Sequence, residues 1–166
     1  MKSYSIILFI ILATIFSSNA LAQTSEIKEG DLIRGPDGIK VYIVNNAGFK
    51  RHIFNPKVFG LYGHFDWSKI KNVDQATLDS YKTSDFYKAH GDTKVYQMEE
   101  IDEVRGIARK RWVNSTREDF LKSGYSNDYI FLINTAEAIL YSPGEDIASS
   151  ALVPATAKIG SKNNFL

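Results

Sequence analysis

Four cations give this chain its first chemical suggestion: Lys50, Arg51, Lys110 and Arg111, the last followed by Trp112. Set along one surface they would make a basic stripe able to hold an anionic polymer. Successive residues of a strand point to opposite faces, so neither pair presents both charges on one side. The competing reading is a solvated face, with long stems lying over apolar neighbours and the heads in water. A second suggestion is FGLYGHFDW at 59–67, where Tyr62 and Trp67 could stack on a sugar. Buried packing is the commoner origin of such a cluster, because aromatic side chains dominate core area.

Catalytic and metal chemistry find less to work with. His52, His64 and His90 are scattered and lack paired-ligand spacing. With no cysteine there is no thiol nucleophile, no disulfide and no thiolate zinc site. Neither a G-x-S-x-G elbow nor a phosphate loop is present. A hydrolase built on Asp66 or Asp128 is the alternative, and it would need a cleft with two carboxylates close together, one with a raised pKa. The expectation is a non-enzymatic protein with no catalytic residue, no metal and no cofactor.

The elements that must position these residues are written twice. DLIRGPDGIKVY (31–42) lies on DFYKAHGDTKVY (85–96) without a gap. Lys50-Arg51 then meets Lys110-Arg111, Ile53 meets Val113, Phe59 meets Phe120, and Tyr81 meets Tyr141. PGEDI (143–147) reads as the opening of a third copy that is never completed. Order and spacing together indicate a tandem repeat of some 55–60 residues.

Each copy reads as three strands plus short helices. Gly35-Pro36-Asp37-Gly38 is a turn. Lys40–Val44 and Phe49–Phe54, rich in β-branched and aromatic residues, flank Asn45-Asn46-Ala47-Gly48, a hairpin signal. Asn55-Pro56 suits an N-cap with proline in the first helical turn. Asp66 and Asp74 are further caps, and Asn134 stands where Asp74 does. In the second copy, EEIDEVRGIARKRWV sets Glu99, Glu100, Asp102 and Glu103 against Arg105, Arg109, Lys110 and Arg111. A helix from Met98 to Trp112 fits that stretch too, but Gly106 and the match to the first copy favour a hairpin at 97–109. The fold class expected is α+β: two repeats of a three-stranded meander with short helices, packed as one body. No Gly/Ser/Pro-rich stretch separates them.

The amino terminus has a different character. Lys2, an apolar run from Ile6 to Phe16, and Ala20-Leu21-Ala22 form the tripartite pattern of a secretory signal, with cleavage expected before Gln23. The run is about half the ~20 residues needed to span a bilayer. Removing residues 1–22 leaves Lys+Arg at 19 against 19 Asp+Glu, a balance unlike that of a nucleic-acid binder. The organisation expected is signal 1–22, linker 23–29, first repeat 30–83, second repeat 84–143, and a partial third copy with a frayed tail over 144–166.

The stretch from Gly30 to Val73 resembles tandem repeats of uncharacterised exported bacterial envelope proteins, with their recurring G-x-L-I-K/R, V-Y-x-I, K-R, F, G and W. The resemblance covers roughly 30–147 and implies a periplasmic, secreted or cell-surface module with a binding or structural role. Envelope polysaccharide or a surface protein would be its partner. The second copy departs from the pattern, for Trp67 has no tryptophan counterpart near Ser126-Asn127-Asp128. A protein-partner or inhibitor role using the 97–109 hairpin is the remaining alternative.

Overall fold

A computed structural model describes residues 26–155, so the expected leader and positions 156–166 lie outside the described residues. The first sheet contains β1 (Leu32–Arg34), β2 (Val41–Val44), β3 (Phe49–His52), β4 (Lys71–Asn72) and β5 (Lys82–Thr83). Two 3-10 helices, Pro56–Leu61 and Trp67–Lys69, and a helix α1 (Gln75–Ser80) fill its connections. The second sheet contains β6 (Phe86–Ala89), β7 (Tyr96–Asp102), β8 (Ile107–Asn114), β9 (Ile130–Ile133), β10 (Ser142–Pro143) and β11 (Ile147–Ala148). Its connections hold α2 (Arg117–Lys122), a 3-10 turn at Asn127–Tyr129 and α3 (Thr135–Leu140). The class is α+β. The meander of three strands is present in each sheet, but short parallel strands extend it on both sides. The orders are β4-β1-β2-β3-β5 and β10-β8-β7-β6-β9, with β11 also on β8.

The pairings of the two sheets fall at corresponding positions. Ile33 lies opposite Tyr42 and Lys71, and Tyr87 lies opposite Tyr96 and Phe131. Tyr42 faces His52 as Tyr96 faces Trp112. Lys50 faces Thr83 as Lys110 faces Pro143. Positions in β6 and β7 stand 54 residues after their counterparts, and those in β8 to β10 stand 60 after. The difference is taken up by the longer β7–β8 hairpin. The 97–109 segment is therefore strand and turn, with Glu99 directly opposite Arg109.

Local chemistry sets the boundaries. Asn45 Oδ1 accepts from the amides of Ala47 and Phe49, and Gly48 takes φ 82°, closing the first hairpin. Asn55 caps the 3-10 helix that opens on Pro56, and Asp66 caps the next one. Asp74 caps α1 through the Thr77 amide, and Asn134 caps α3 through the Glu137 amide, as their shared position suggests.

Alternation along β1 and β6 sends neighbours into separate clusters. Leu32 packs with Val41, Ile53, Val58, Phe59 and Ile70, whereas Ile33 packs with Val44 and Leu78. In the second sheet Phe86 joins Val113, Phe120 and Tyr125, whereas Tyr87 joins Met98, Ile133 and Ala138. Tyr87 is larger than Ile33, and Ala138 is smaller than Leu78. The carboxy-terminal stretch is packed rather than frayed as far as it is described. Leu152 and Ala155 are buried against Phe120 and Tyr125, and the Tyr125 hydroxyl donates to the Val153 carbonyl at 2.6 Å.

The halves meet along one seam. Ser84 Oγ donates to the Tyr129 carbonyl, Asn45 Nδ2 donates to the Asp128 carbonyl at 2.9 Å, and Phe49 packs on Tyr129 with ring centroids 4.1 Å apart. At the other end the β7–β8 tip lies on the first half, where a Cβ on Gly106 would fall 2.3 Å from the Phe54 carbonyl oxygen. Gly106 also has φ 64°. Gly91 shares the left-handed backbone at φ 82° but has open space around it. Gly91→Ala should therefore cost about 1 kcal/mol and Gly106→Ala roughly 2 kcal/mol or more, measured by urea unfolding. Equal losses would show that the tip does not press on Phe54.

Candidate functional site

Arg51 and Lys50 leave β3 in opposite directions, and neither reaches bulk water: Arg51 is 2% exposed and Lys50 6%. That burial removes both from any surface stripe and from the solvated-face reading as well. The Lys50 ammonium donates to the Leu78 carbonyl at 2.7 Å and to the Tyr81 carbonyl, so it closes the C-terminal end of α1. Lys110 does the same for α3, donating to the Ala138 carbonyl at 2.8 Å.

Arg51 crosses to the second half. Its Nη1 donates to Glu137 Oε1 at 2.6 Å and its Nη2 to Oε2 at 3.3 Å, a two-point grip on a fully buried carboxylate. The Tyr62 and Tyr141 hydroxyls also donate to Glu137, the latter at 2.8 Å. Four donors thus fill the carboxylate's acceptor capacity. The Asn134 amide donates to the Tyr62 hydroxyl at 3.1 Å, and Asn134 Nδ2 donates to the Leu61 carbonyl at 2.9 Å. Glu137 sits in the first turn of α3, where the exposed N–H dipoles favour an anion. Desolvation alone would pull the Arg51 guanidinium down, but the adjacent Glu137 carboxylate outweighs it and holds Arg51 above its ordinary value. Burial first, then the Glu137 charge, pushes the Tyr62 and Tyr141 hydroxyls well up, so both stay protonated donors.

Apart from this lock, the second half carries an open groove of about 700 Å³. Lys88, Lys94 and Arg117 contribute cations, Trp112 an aromatic face, and Ile130 and Leu132 apolar wall; no carboxylate lines it. The Lys94 ammonium lies 4.1 Å from the centre of the Trp112 ring. Among the described residues no carboxylate forms an ion pair with Lys88, Lys94 or Arg117. The groove is wide enough for a chain segment and has the charge to hold an anionic one.

Of the residues singled out from sequence, only Trp112 lines this groove. Arg111 Nε donates to the Glu145 carbonyl at 2.9 Å. Tyr62 is spent on Glu137. Trp67 is 55% exposed, yet its ring is stacked on Phe59 at 3.7 Å, one aromatic face covered and one free. Asp66 accepts from the Ser68 amide and hydroxyl, bonds that hold its carboxyl below the usual range. Asp128 is tied to Ser126. Sequence reasoning missed Lys88, Lys94, Arg117 and Glu137. The doubled Lys-Val-Tyr carried a signal for Lys94, since its twin Lys40 stands in the same place. Asn134-x-x-Glu137 carried one for the carboxylate, as a capping pattern.

No family model, curated protein or solved structure matches the chain.

Glu137→Ala should cost ~3–5 kcal/mol, because it strands a buried guanidinium. Arg51→Met combined with Glu137→Leu should cost less than either single change, read from urea unfolding of all three variants. Additive losses would mean the two groups act separately.

His52 supplies a pH test. Burial first, then Lys40, brings its imidazole down to about 4. The folded chain therefore keeps it neutral while the unfolded chain protonates it near 6.5, so its contribution is present above 6.5 and lost as pH falls towards 4. His52→Gln should abolish about 2 kcal/mol of the stability difference between pH 7 and pH 5. An unchanged difference would place the titration elsewhere.

Proposed function

We propose that the chain is an exported, non-enzymatic module, built from two copies of one unit and the start of a third, that serves the cell envelope by binding. The observation that carries the binding reading is the groove on the second half, with an aromatic face and three cations that no carboxylate among the described residues pairs. The duplicated reading is supported by the matched strand registers and by the twin roles of Lys50 and Lys110. The exported reading rests on the first 22 residues of the sequence. Among the described residues no helix is long and apolar enough to cross a membrane. One feature favours a protein partner over a sugar polymer: the β7–β8 hairpin carries Ile101, Val104 and Ile107 on its exposed side, with Val104 97% accessible.

Cell fractionation with amino-terminal sequencing tests this. The mature chain should begin at Gln23 and appear in the envelope or medium, and purified envelope fractions should retain it in low salt and release it in high salt. An intact amino terminus in the cytoplasm would overturn the reading.

A further inference from the structure

The groove on the second half has a counterpart on the first half, and there the place is taken. The tip of the β7–β8 hairpin fills it. Lys40 meets Glu103 at 2.9 Å and Glu100 at 3.6 Å, and His52 stands 4.0 Å from Glu100. Asn55 Nδ2 donates to the Gly106 carbonyl at 3.4 Å. The registers carry Lys40 onto Lys94 and His52 onto Trp112, and Asn55 falls on Ser115. Lys94, Trp112 and Ser115 all line the open groove. What receives an acidic tip in one half is therefore presented empty-handed in the other.

We propose that the Lys94–Trp112–Arg117 groove is a docking surface for an acidic hairpin tip of a partner protein, one carrying two carboxylates about three residues apart, as Glu100 and Glu103 are. This rests on the duplicated reading above. The charge is complementary: Lys88, Lys94 and Arg117 line the groove with no acid among its lining residues. On the first half such a tip is already received at close range, with a Cβ on Gly106 falling 2.3 Å from the Phe54 carbonyl oxygen. The tip of this same chain is not the occupant, being held on Lys40. The segment after Ala155, TAKIGSKNNFL, carries two lysines and no Asp or Glu.

The probe is a cyclised, fluorescein-labelled peptide reproducing residues 97–109, titrated into the full chain and followed by anisotropy. Trp112 emission is followed in parallel in a Trp67→Phe background. Saturable binding is expected, with a change in Trp112 emission. Lys94→Glu with Arg117→Glu should weaken it at least tenfold, and so should a peptide with Gln at both Glu100 and Glu103. Lys40→Glu should leave the affinity within about twofold. Both groove cations are exposed, so the double variant should keep the wild-type circular dichroism and melting temperature. The proposal is overturned if the peptide fails to bind, or if Lys40→Glu abolishes binding while the groove variant does not. It is also overturned if dextran sulfate binds the groove as tightly as the peptide, making it a general polyanion site, or if a concentration-dependent dimer competes with the peptide, making the occupant a second copy of this chain. None of these results would alter where the chain is exported, which fractionation reads independently.

Discussion

One ion pair joins the two halves of this molecule in surroundings closed to water. Arg51 comes from the first sheet and Glu137 from α3, the helix between β9 and β10 of the second, and both are buried. Taking two charges out of water costs several kcal/mol each unless geometry and further hydrogen bonds offset the loss. Here the offset comes from both halves: Tyr62 from one, Tyr141 and the first turn of α3 from the other. A docking displaced by a single strand position would turn Arg51 away and leave a bare carboxylate in apolar surroundings.

The halves are alike in plan but not in circumstance. Lys50 and Lys110 close the carbonyl ends of their own helices, a role internal to each unit, and it is carried out twice. Arg51 and Arg111 reach outward to whatever follows. For Arg51 that is a complete second unit with a carboxylate in place. For Arg111 it is the fragment at 144–148, which offers the Glu145 carbonyl and a short strand beside Val113. Quasi-repeating folds meet this end effect generally, and they solve it with atypical terminal segments. Ile147, Leu152 and Ala155 do so here by covering Phe120 and Tyr125. They leave the face around Trp112 open. On the duplication we propose, the groove is what remains when the next hairpin is missing.

The plan of the fold was legible because local signals and the internal similarity of the sequence pointed the same way. Asn45-Asn46-Ala47-Gly48 indicated a hairpin, Asp74 and Asn134 indicated caps, and Lys94-Val95-Tyr96 transferred the first hairpin onto a stretch that also fits helical spacing. The two-residue parallel strands were not legible. Lys71-Asn72 and Lys82-Thr83 carry little strand propensity, and tertiary position alone makes them pair. The site was legible only in Trp112. Lys50 and Arg51 look like surface residues in sequence, since lysine and arginine are rarely buried unless partnered. Their partners are a helix end and a carboxylate 86 positions away. No window of sequence contains both members of such a pair.

The charge balance bears on how the groove would be used. Without residues 1–22 the chain carries 19 Lys+Arg against 19 Asp+Glu, so it has little long-range field with which to gather anions. At physiological salt the potential of Lys88, Lys94 and Arg117 fades within ~8 Å. A partner feels those cations only once it is nearly docked, when the Trp112 face and the Ile130–Leu132 wall also come into contact. Selection then falls on local fit, in which carboxylates must be spaced to meet the cations while the intervening chain lies on the apolar wall. A flexible polyanion gains the charge contacts without the packing. The acidic tip on the first half has both, with Glu100 and Glu103 on Lys40 and Gly106 pressed against Phe54.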